Sequence, residues 1–289
     1  MAKTLDGVIV KSVGGVFRVK ANNGKTLRCF SRGILKRGDD KLYVGDNVLL
    51  KEEKGTYYIA DVYPRRNLLI RPYVANVDAI AIVVANLPKC DWVMVDKLML
   101  SGEVHGIPVV IICNKSDLDT SNYEYACRVY GSMATVYSVS AETGEGVDRL
   151  AQELKGTVCL AGQSAVGKSS LLNRLTDLNQ ETGELSKIDR GRNTTRHIEL
   201  FEVNDHLKVM DTCGFSLLEP EDVEDRELSL YYPDMVALGR CKYTLCTHTS
   251  EPDCVVKQAV EDGKLDRGRY ERYLEIANEL KERRNKEYD

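Results

Sequence analysis

A stretch near the middle of the chain has the residue types and the spacing that bind phosphate groups. Residues 162–169 fit the pattern G-x-x-x-x-G-K-[ST] in full. Glycine lets backbone N–H groups approach a phosphate without a Cβ clash, and a new helix offers unpaired N–H groups. Lys168 is expected to reach the β and γ phosphates, and Ser169 to offer its hydroxyl group to Mg²⁺. The predicted phosphate-site residues are Gly162, Gln163, Ser164, Ala165, Val166, Gly167, Lys168, Ser169 and Ser170.

The sequence on either side of this stretch supports the same interpretation. Residues 157–161 form a short apolar run that predicts a buried strand, and the leucines after Ser170 have helical spacing. Strand, glycine-rich loop and helix is the context that the motif requires, so a chance Gly- and Ser-rich loop is the weaker alternative. The sequence therefore predicts a site for a nucleoside triphosphate.

A second group of residues indicates which base is bound. Asn114, Lys115, Ser116 and Asp117 follow an apolar run that reads as a buried strand. The Asp117 carboxylate can accept hydrogen bonds from guanine N1–H and the 2-amino group, two donors that adenine does not present there. Asn114 is expected to bond the base edge, and the Lys115 stem to cover the base face. The pattern predicts GTP, with GDP as product, rather than ATP.

A loop at residues 138–144 completes the predicted base site. Ser140 and Ala141 resemble the S-A-K loop of GTPases, with Glu142 where lysine is usual. Because the backbone of this loop is expected to contact guanine O6, the change of side chain matters little.

The magnesium and γ-phosphate chemistry is predicted to come from residues that follow the phosphate loop. Asp211 and Gly214 form a D-x-x-G pattern after an apolar strand. Asp211 would hold Mg²⁺ through water, and the Gly214 amide would sense the γ-phosphate. Thr194 or Thr195 would bind Mg²⁺ and the γ-phosphate from a first switch loop, with a slight preference for Thr195. The predicted catalytic residues are Lys168, Ser169, Thr195, Asp211 and Gly214.

The order of these motifs differs from that of ordinary small GTPases. Those chains run from phosphate loop to switch threonine, D-x-x-G, N-K-x-D and S-A-K, whereas here N-K-S-D and S-A-E come first. A complete motif set that has been cut and rejoined is a circular permutation. Such a rearrangement is tolerated because domain termini often lie close together.

Three cysteines and one histidine near the C-terminus predict a metal site. Cys241, Cys246, His248 and Cys254 have the spacing C-x₄-C-x-H-x₅-C. In a reducing compartment such a set predicts tetrahedral zinc, and because the protein fills all four positions the zinc should be structural. A chance cluster is the alternative.

The elements that carry these residues predict an α/β protein of three parts. Residues 1–65 read as about five short strands, which favours an OB-like β-barrel that binds RNA, although an SH3-like barrel or a spacer domain remains possible. Residues 16–21 have the two-residue period of a half-buried strand, with Phe17, Val19 and Ala21 on one face and Arg18 and Lys20 on the other. A linker is expected at residues 64–72, before a circularly permuted P-loop GTPase domain at 66–220 with a parallel sheet. Residues 221–289 are expected to form a helical zinc-binding domain that ends in a charged helix from Asp266 to about Lys286. Its Lys and Arg are expected to form a solvated face, with contact to nucleic acid as the open alternative. Its predicted apolar stripe consists of Tyr270, Tyr273, Leu274, Ile276, Ala277 and Leu280.

Composition and charge limit the possible functions. The chain has no apolar segment that could cross a membrane and no secretory signal, and its nine cysteines favour reduced thiols, so a cytoplasmic location is expected. Residues 1–71 hold 15 Lys and Arg against 7 Asp and Glu, whereas the remainder holds 25 against 37. A basic module on an acidic body suggests a polyanionic partner, and a solvated surface is an equal alternative.

These features together resemble the ribosome small subunit-dependent GTPase A family of bacteria, over the whole chain. The most specific marks are the motif order, the segment 191–195 (G-R-N-T-T) and the zinc spacing. The resemblance implies binding to the 30S ribosomal subunit through 16S rRNA late in assembly, and GTP hydrolysis stimulated by that subunit. We expect no membrane partner, no DNA partner and a monomeric protein.

At two positions this chain lacks the residue that GTPases are expected to use to orient the attacking water. Small GTPases commonly carry glutamine just after D-x-x-G, where this chain has Phe215 and Ser216. The resemblance implies a histidine directly before the paired threonines, where this chain has Asn193. His197 is four residues further along, roughly 13 Å in an extended chain. Slow intrinsic hydrolysis is expected, with the water-positioning group unassigned.

Three hypotheses follow. The first is a GTPase that leaves the small ribosomal subunit when it hydrolyses GTP. The second is a binding switch in which hydrolysis is incidental. The third is a GTP-dependent RNA-binding switch that does not act through the ribosome. The first is preferred.

Overall fold

The computed structural model describes residues 4–31, 41–70, 72–180, 198–212, 219–244 and 246–288. The chain begins with five strands: β1 (Thr4–Val13), β2 (Val16–Ala21), β3 (Thr26–Ser31), β4 (Asn47–Glu53) and β5 (Thr56–Val62). β1 pairs with both β2 and β4, and β3 lies parallel to β5, so the strands close in the order β1-β2-β3-β5-β4. This closed five-stranded barrel confirms the predicted OB-like module.

The alternation of side chains along β2 explains how the barrel fills its interior. Phe17, Val19 and Ala21 are buried, whereas Arg18 is exposed. Successive side chains of a strand point to opposite faces, so one face packs inside the barrel and the other meets solvent. The two-residue period in the sequence therefore predicted this strand correctly.

The segment expected to be a linker is part of a small β-hairpin. Strands β6 (Leu68–Ile70) and β7 (Tyr73–Ala75) pair antiparallel, and Leu69 and Val74 are buried in the core. The prolines at each end of the segment suggested a linker. The apolar residues between them find partners in β7 and in the core, which a local pattern does not reveal.

A six-stranded sheet follows, with helices between its strands. Its elements are β8 (Ala79–Val84), α1 (Trp92–His105), β9 (Val109–Cys113), α2 (Ser121–Tyr130), β10 (Thr135–Ser138), α3 (Val147–Glu153), β11 (Gly156–Ala161), α4 (Lys168–Gln180), β12 (Glu199–Glu202) and β13 (Leu207–Asp211). The strand order is β10-β9-β8-β11-β13-β12, and all neighbours are parallel except β12 and β13. The apolar runs of β8, β9 and β11 are buried, as parallel strands covered on both faces must be.

The barrel joins this sheet at the edge strand β12. β1 pairs with β12 through Lys11 and Glu199, whose side chains also form an ion pair. Lys20 of β2 forms a second ion pair with Glu202, at 3.1 Å. The barrel therefore lies directly against the strand that follows the predicted switch threonines.

The C-terminal part is helical. A short 3-10 helix (Leu228–Tyr231) precedes α5 (Pro233–Val236), α6 (Val255–Glu261) and α7 (Arg267–Tyr288). Tyr273, Ile276, Ala277 and Leu280 of α7 are buried, which confirms the predicted apolar stripe. None of the helices in the described ranges is long and apolar enough to cross a membrane.

Two arginines of α7 contradict the interpretation of its charges as a solvated face. Arg269 is only 2% exposed, and its Nη1 lies 2.7 Å from Oδ1 of Asp96 in α1. Arg272 Nε lies 2.6 Å from the other oxygen of Asp96. These side chains turn inward because α1 offers a buried carboxylate, so they join the C-terminal helix to the sheet domain.

Candidate functional site

The predicted nucleotide residues follow the carboxyl ends of neighbouring parallel strands. The phosphate loop follows β11, Asn114 follows β9, Ser140 lies just beyond β10, and Asp211 ends β13. Parallel strands end at the same edge of a sheet, and ligands of open α/β folds bind there. Residues that are far apart in sequence thus meet at one edge.

The glycines of the phosphate loop are required by close backbone contacts. Gly162 has φ 139°, and a Cβ there would lie 2.2 Å from the Val83 carbonyl oxygen. Gly167 has φ 96°, and a Cβ there would lie 2.3 Å from Nδ2 of Asn114. Neither position accepts a side chain, because both the backbone angle and the available space exclude one.

Lys168 lies inside the phosphate loop. The residue is buried, and its Nζ donates to the carbonyl oxygens of Gly162 at 2.8 Å and Gln163 at 2.6 Å. A cation held within a loop of backbone amides suits a polyphosphate, since both attract negative charge. This is the position from which the sequence predicts a contact with the phosphates.

Ser169 and Asp211 form the part of the site that suits a divalent cation. The Ser169 hydroxyl donates to Asp211 Oδ2 at 3.2 Å, and Asp211 is buried. A hydroxyl and a carboxylate are hard oxygen donors of the kind that Mg²⁺ takes together with substrate phosphates. The other predicted Mg²⁺ ligand, Thr194 or Thr195, lies outside the described residues, as do Gly214, predicted to sense the γ-phosphate, Asn193 and Phe215.

Asn114 joins two loops of the site. Its Nδ2 donates to the Val166 carbonyl oxygen at 2.9 Å, and its Oδ1 accepts from the Ala141 amide at 3.0 Å. The sequence predicted a contact of Asn114 with the base edge. The structure adds a framework role, in which this buried amide ties the phosphate loop to the loop after β10.

The remaining base-site residues lie beside Asn114. Lys115 Nζ donates to the Ala165 carbonyl at 3.0 Å, which ties this side chain to the phosphate loop. The Ser140 hydroxyl donates to Asp117 Oδ1, and the Ser116 amide donates to the Val139 carbonyl at 3.1 Å. The structure therefore brings the N-K-S-D and S-A-E loops together, as the sequence predicts.

Two contacts of the site were not predicted from the sequence. Gln163 Oε1 accepts from the backbone amide of Asp91 at 3.0 Å, which ties the phosphate loop to the start of α1. Arg174 of α4 donates from Nη2 to the Thr143 carbonyl at 3.2 Å. Gln163 occupies a variable position of the phosphate-loop motif and Arg174 belongs to no motif. The partners of both residues are distant in sequence, so no local signal could have identified these two contacts.

The predicted zinc ligands converge near the start of α6. The donor atoms of Cys241, Cys246, His248 and Cys254 all lie within 4.8 Å of one another. His248 Nδ1 is 3.5, 3.4 and 3.3 Å from the three Sγ atoms, in chain order, and Cys241 Sγ is 3.8 Å from Cys254 Sγ. Tetrahedral zinc with its usual bond lengths requires ligand separations of about 3.5 to 3.8 Å, so the set fits the metal.

Burial and hydrogen bonds shift the pKa values of side chains in and beside this cluster. Burial raises the pKa of the Cys246 thiol to about 12 and lowers the pKa of His248, so without a cation these two side chains favour their neutral forms. Zinc binds thiolate, so a bound ion would reverse the preference of Cys246. Burial opposes the charge of Glu251, yet hydrogen bonds led by the Thr247 amide lower its pKa to about 2.

Comparisons with known proteins agree with this architecture. A family model described as "RsgA GTPase" matches residues 62–221, and one described as "RsgA N-terminal domain" matches residues 6–59. The "Small ribosomal subunit biogenesis GTPase RsgA" of Ruminiclostridium cellulolyticum is 37% identical over 286 residues, covering 96% of this chain and 94% of that protein. The protein of the same name from Geobacillus kaustophilus is 39% identical over 290 residues, covering 96% of this chain and 98% of that protein.

Two solved structures are similar over nearly the whole chain. YjeQ from Thermotoga maritima superposes with a TM-score of 0.80 at 32% identity, covering 96% of this chain and 99% of that chain. YloQ, described as a circularly permuted GTPase, gives a TM-score of 0.75 at 32% identity, covering 97% of this chain and 96% of that chain. The predicted family, fold class and motif permutation are confirmed, and the chain is a GTP-hydrolysing enzyme that belongs to the RsgA GTPase family.

Proposed function

We propose that this protein hydrolyses GTP in the biogenesis of the small ribosomal subunit. The observation that carries the proposal is the match, over at least 94% of each chain, to relatives named for that process. In the proposed cycle the GTP-bound protein binds the 30S subunit through 16S rRNA in the cytoplasm, as a monomer. The subunit stimulates hydrolysis, and hydrolysis releases the protein.

The described residues support specific roles in this reaction. Lys168 would neutralise the β and γ phosphates, since its ammonium group is already held among the carbonyls of the phosphate loop. Asp117, oriented by the Ser140 hydroxyl, would bind the guanine N1–H and 2-amino groups. Lys115 would cover the base, and the backbone from Ser140 to Ala141 would meet guanine O6.

Mg²⁺ would be held by Ser169, by Asp211 through water and by Thr195 or Thr194, and the Gly214 amide would donate a hydrogen bond to the γ-phosphate. When bound, the ion supplies positive charge that stabilises the phosphoryl group as it is transferred. Among the described residues, the Ser169–Asp211 pair supports this site, because it sets hydroxyl and carboxylate oxygens 3.2 Å apart at the end of β13.

The three parts of the chain would divide the work. We propose that residues 1–65 bind RNA, residues 66–220 bind and hydrolyse GTP, and residues 221–289 are built around one structural zinc ion. The Cys₃His set supports the last assignment, because all four positions of a tetrahedral ion are filled by protein ligands.

The experiment is a GTP turnover assay of the purified protein alone, with 30S subunits and with 50S subunits as control. Stimulation by 30S subunits only is the expected result, and Lys168→Ala should abolish the stimulated rate. Tight GTP binding without stimulation would instead favour a binding switch or a GTP-dependent RNA-binding protein that does not act through the ribosome.

A further inference from the structure

Two stacked tyrosines stand where the barrel meets the GTPase domain. Tyr43 precedes β4 and Tyr73 begins β7, and their rings are nearly parallel, with centroids 5.4 Å apart and planes at 10°. The Arg65 guanidinium lies 4.9 Å from the Tyr43 ring centroid. The Tyr43 ring is thus in contact with both the Tyr73 ring and the Arg65 guanidinium.

The support beneath Tyr73 is fixed by buried contacts. The side chain of Asp46, which is fully buried, receives Nε of Arg65 at 2.6 Å and the Tyr43 amide at 2.8 Å. The residues after the two tyrosines, Val44 and Val74, are joined by a β-bridge. Because these contacts hold the backbone beside both tyrosines and the guanidinium of Arg65, the ring of Tyr73 rests on a preformed surface.

The ring of Tyr73 is half open to solvent. Tyr73 is 51% exposed, and Ile70, its partner in the β-hairpin, is 46% exposed. A cation belongs to the same region: Lys41 is exposed, and its carbonyl oxygen accepts a hydrogen bond from Arg65 at 2.6 Å. The Arg66 side chain is 61% exposed but is already paired with Asp78 at 2.6 Å. An exposed aromatic face close to cations is the combination that binds single-stranded nucleic acid, in which bases stack on rings and phosphates meet positive charge.

We propose that the exposed face of Tyr73 stacks an unpaired base of single-stranded RNA, with Lys41 as the cation for an adjoining phosphate. The inference rests on the proposed ribosomal function, in which RNA is the polyanion that the basic N-terminal part meets. Single-stranded RNA is the fitting class, because only a base outside a helix can lay its face on a ring. The site lies on the β6–β7 hairpin, outside the barrel strands.

The test measures RNA affinity of the full chain with a fluorescein-labelled, mixed-sequence, 12-nucleotide single-stranded RNA, at several salt concentrations. Tyr73→Leu keeps an apolar side chain but removes the ring, and should weaken binding roughly 5- to 150-fold. The slope of log Kd against log salt should stay unchanged, because stacking releases no counterions. Tyr73→Phe should bind like the wild type, since the phenyl face remains.

Tyr243→Ala is the matched control, because Tyr243 is 44% exposed but lies in the zinc-binding segment. It should keep its RNA affinity within about twofold, and Tyr73→Leu should keep the wild-type unfolding temperature and GTP affinity. An unchanged RNA affinity in Tyr73→Leu overturns the inference, as does a wild type that does not bind the oligonucleotide. If Tyr73→Leu loses 30S binding but not RNA affinity, Tyr73 meets a ribosomal protein and the inference is wrong.

The 30S turnover assay, run on the same preparations, separates this inference from the function on which it rests. Tyr73-dependent RNA binding without stimulation by 30S subunits would reject the ribosomal function and keep the stacking site. Stimulation by 30S subunits without Tyr73-dependent RNA binding would support the ribosomal function and reject the stacking site.

Discussion

The side-chain nitrogen of Asn114 donates a 2.9 Å hydrogen bond to the carbonyl oxygen of Val166, so the loop after β9 is fastened to the loop after β11. The same side chain accepts from the Ala141 amide, which brings in the loop after β10. The three loops proposed to bind base and phosphates are therefore one connected body.

Replacing Asn114 by aspartate should weaken nucleotide binding without changing base preference. The change removes the Nδ2 donor and sets an oxygen against the Val166 carbonyl oxygen, so the loops lose their connection. We expect Kd values for GDP and for xanthosine diphosphate to rise together, each by roughly 10- to 100-fold. Equilibrium titration with both nucleotides measures this.

Asp117→Asn is the contrasting variant. The amide cannot accept both guanine donors but can donate to the 2-carbonyl of xanthine, so preference should move from GDP towards xanthosine diphosphate. A similar move in Asn114→Asp would contradict the framework role, because it would place Asn114 mainly on the base.

The loop after β10 should depend on Arg174. This α4 side chain donates to the Thr143 carbonyl at 3.2 Å, and a Cβ on Gly144 would lie 2.5 Å from its Nη2. Arg174→Ala should free the loop proposed to meet guanine O6 and weaken GDP binding by about 3- to 10-fold. The diphosphate of 2-aminopurine riboside lacks O6, so its affinity should change less.

Arg149→Ala controls for the loss of an arginine, because Arg149 forms an exposed pair with Glu153 on α3. It should bind both nucleotides like the wild type. Equal losses for GDP and the 2-aminopurine nucleotide in Arg174→Ala would show that Arg174 supports the domain generally and not the O6 contact.

How far the site was predictable depends on the range over which its residues act. The phosphate loop and N-K-S-D follow from short patterns whose backbone geometry is local, and the structure brings them together. The bridging role of Asn114 and the contacts of Gln163 and Arg174 need partners 52, 72 and 31 residues away. A sequence pattern contains no such information.

The same limit applied to the fold. The barrel, the parallel sheet and the apolar stripe of α7 came from periodicity, which reflects one buried face. The β6–β7 hairpin was not predicted, because prolines in a short segment resemble a linker. The inward arginines of α7 were not predicted, because charged residues in a short segment resemble a solvated surface. The tertiary partner Asp96 shows why Arg269 is buried and why Arg272 turns inward.

Removing the metal should destabilise the C-terminal domain. The Tyr270 and Tyr273 hydroxyls of α7 donate to the carbonyls of His248 and Thr247, both at 2.7 Å, so the metal loop is fastened to this helix. Structural zinc contributes its binding energy to folding. Cys246→Ser should therefore lose one zinc per chain and lower the unfolding temperature by about 5 to 10 °C.

Metal content by elemental analysis and thermal unfolding measure this prediction. Cys127→Ser is the matched control, because Cys127 is exposed on α2 and outside the cluster. It should keep both the zinc and the unfolding temperature. Wild-type protein that is equally stable with and without zinc would refute the structural role.

The buried carboxylate of Asp96 should hold the GTPase and C-terminal domains together. Its two oxygens lie 2.7 Å from Arg269 Nη1 and 2.6 Å from Arg272 Nε, and its side chain is fully buried. Asp96→Asn keeps the shape but leaves two buried guanidinium groups without their shared anion. Breaking a buried ion pair in this way costs about 3 to 5 kcal/mol, which urea unfolding of the full chain should detect.

Glu153→Gln removes a carboxylate from the exposed pair with Arg149 and should leave the unfolding midpoint unchanged, because solvent already screens that pair. Arg269 has a second carboxylate partner, Asp234, at 3.0 Å from its Nε. If Asp96→Asn were as stable as the wild type, Asp234 alone would satisfy Arg269, and the two domains would be joined by apolar packing. Loss of stability in Asp96→Asn but not in Asp234→Asn would instead assign the joint to Asp96.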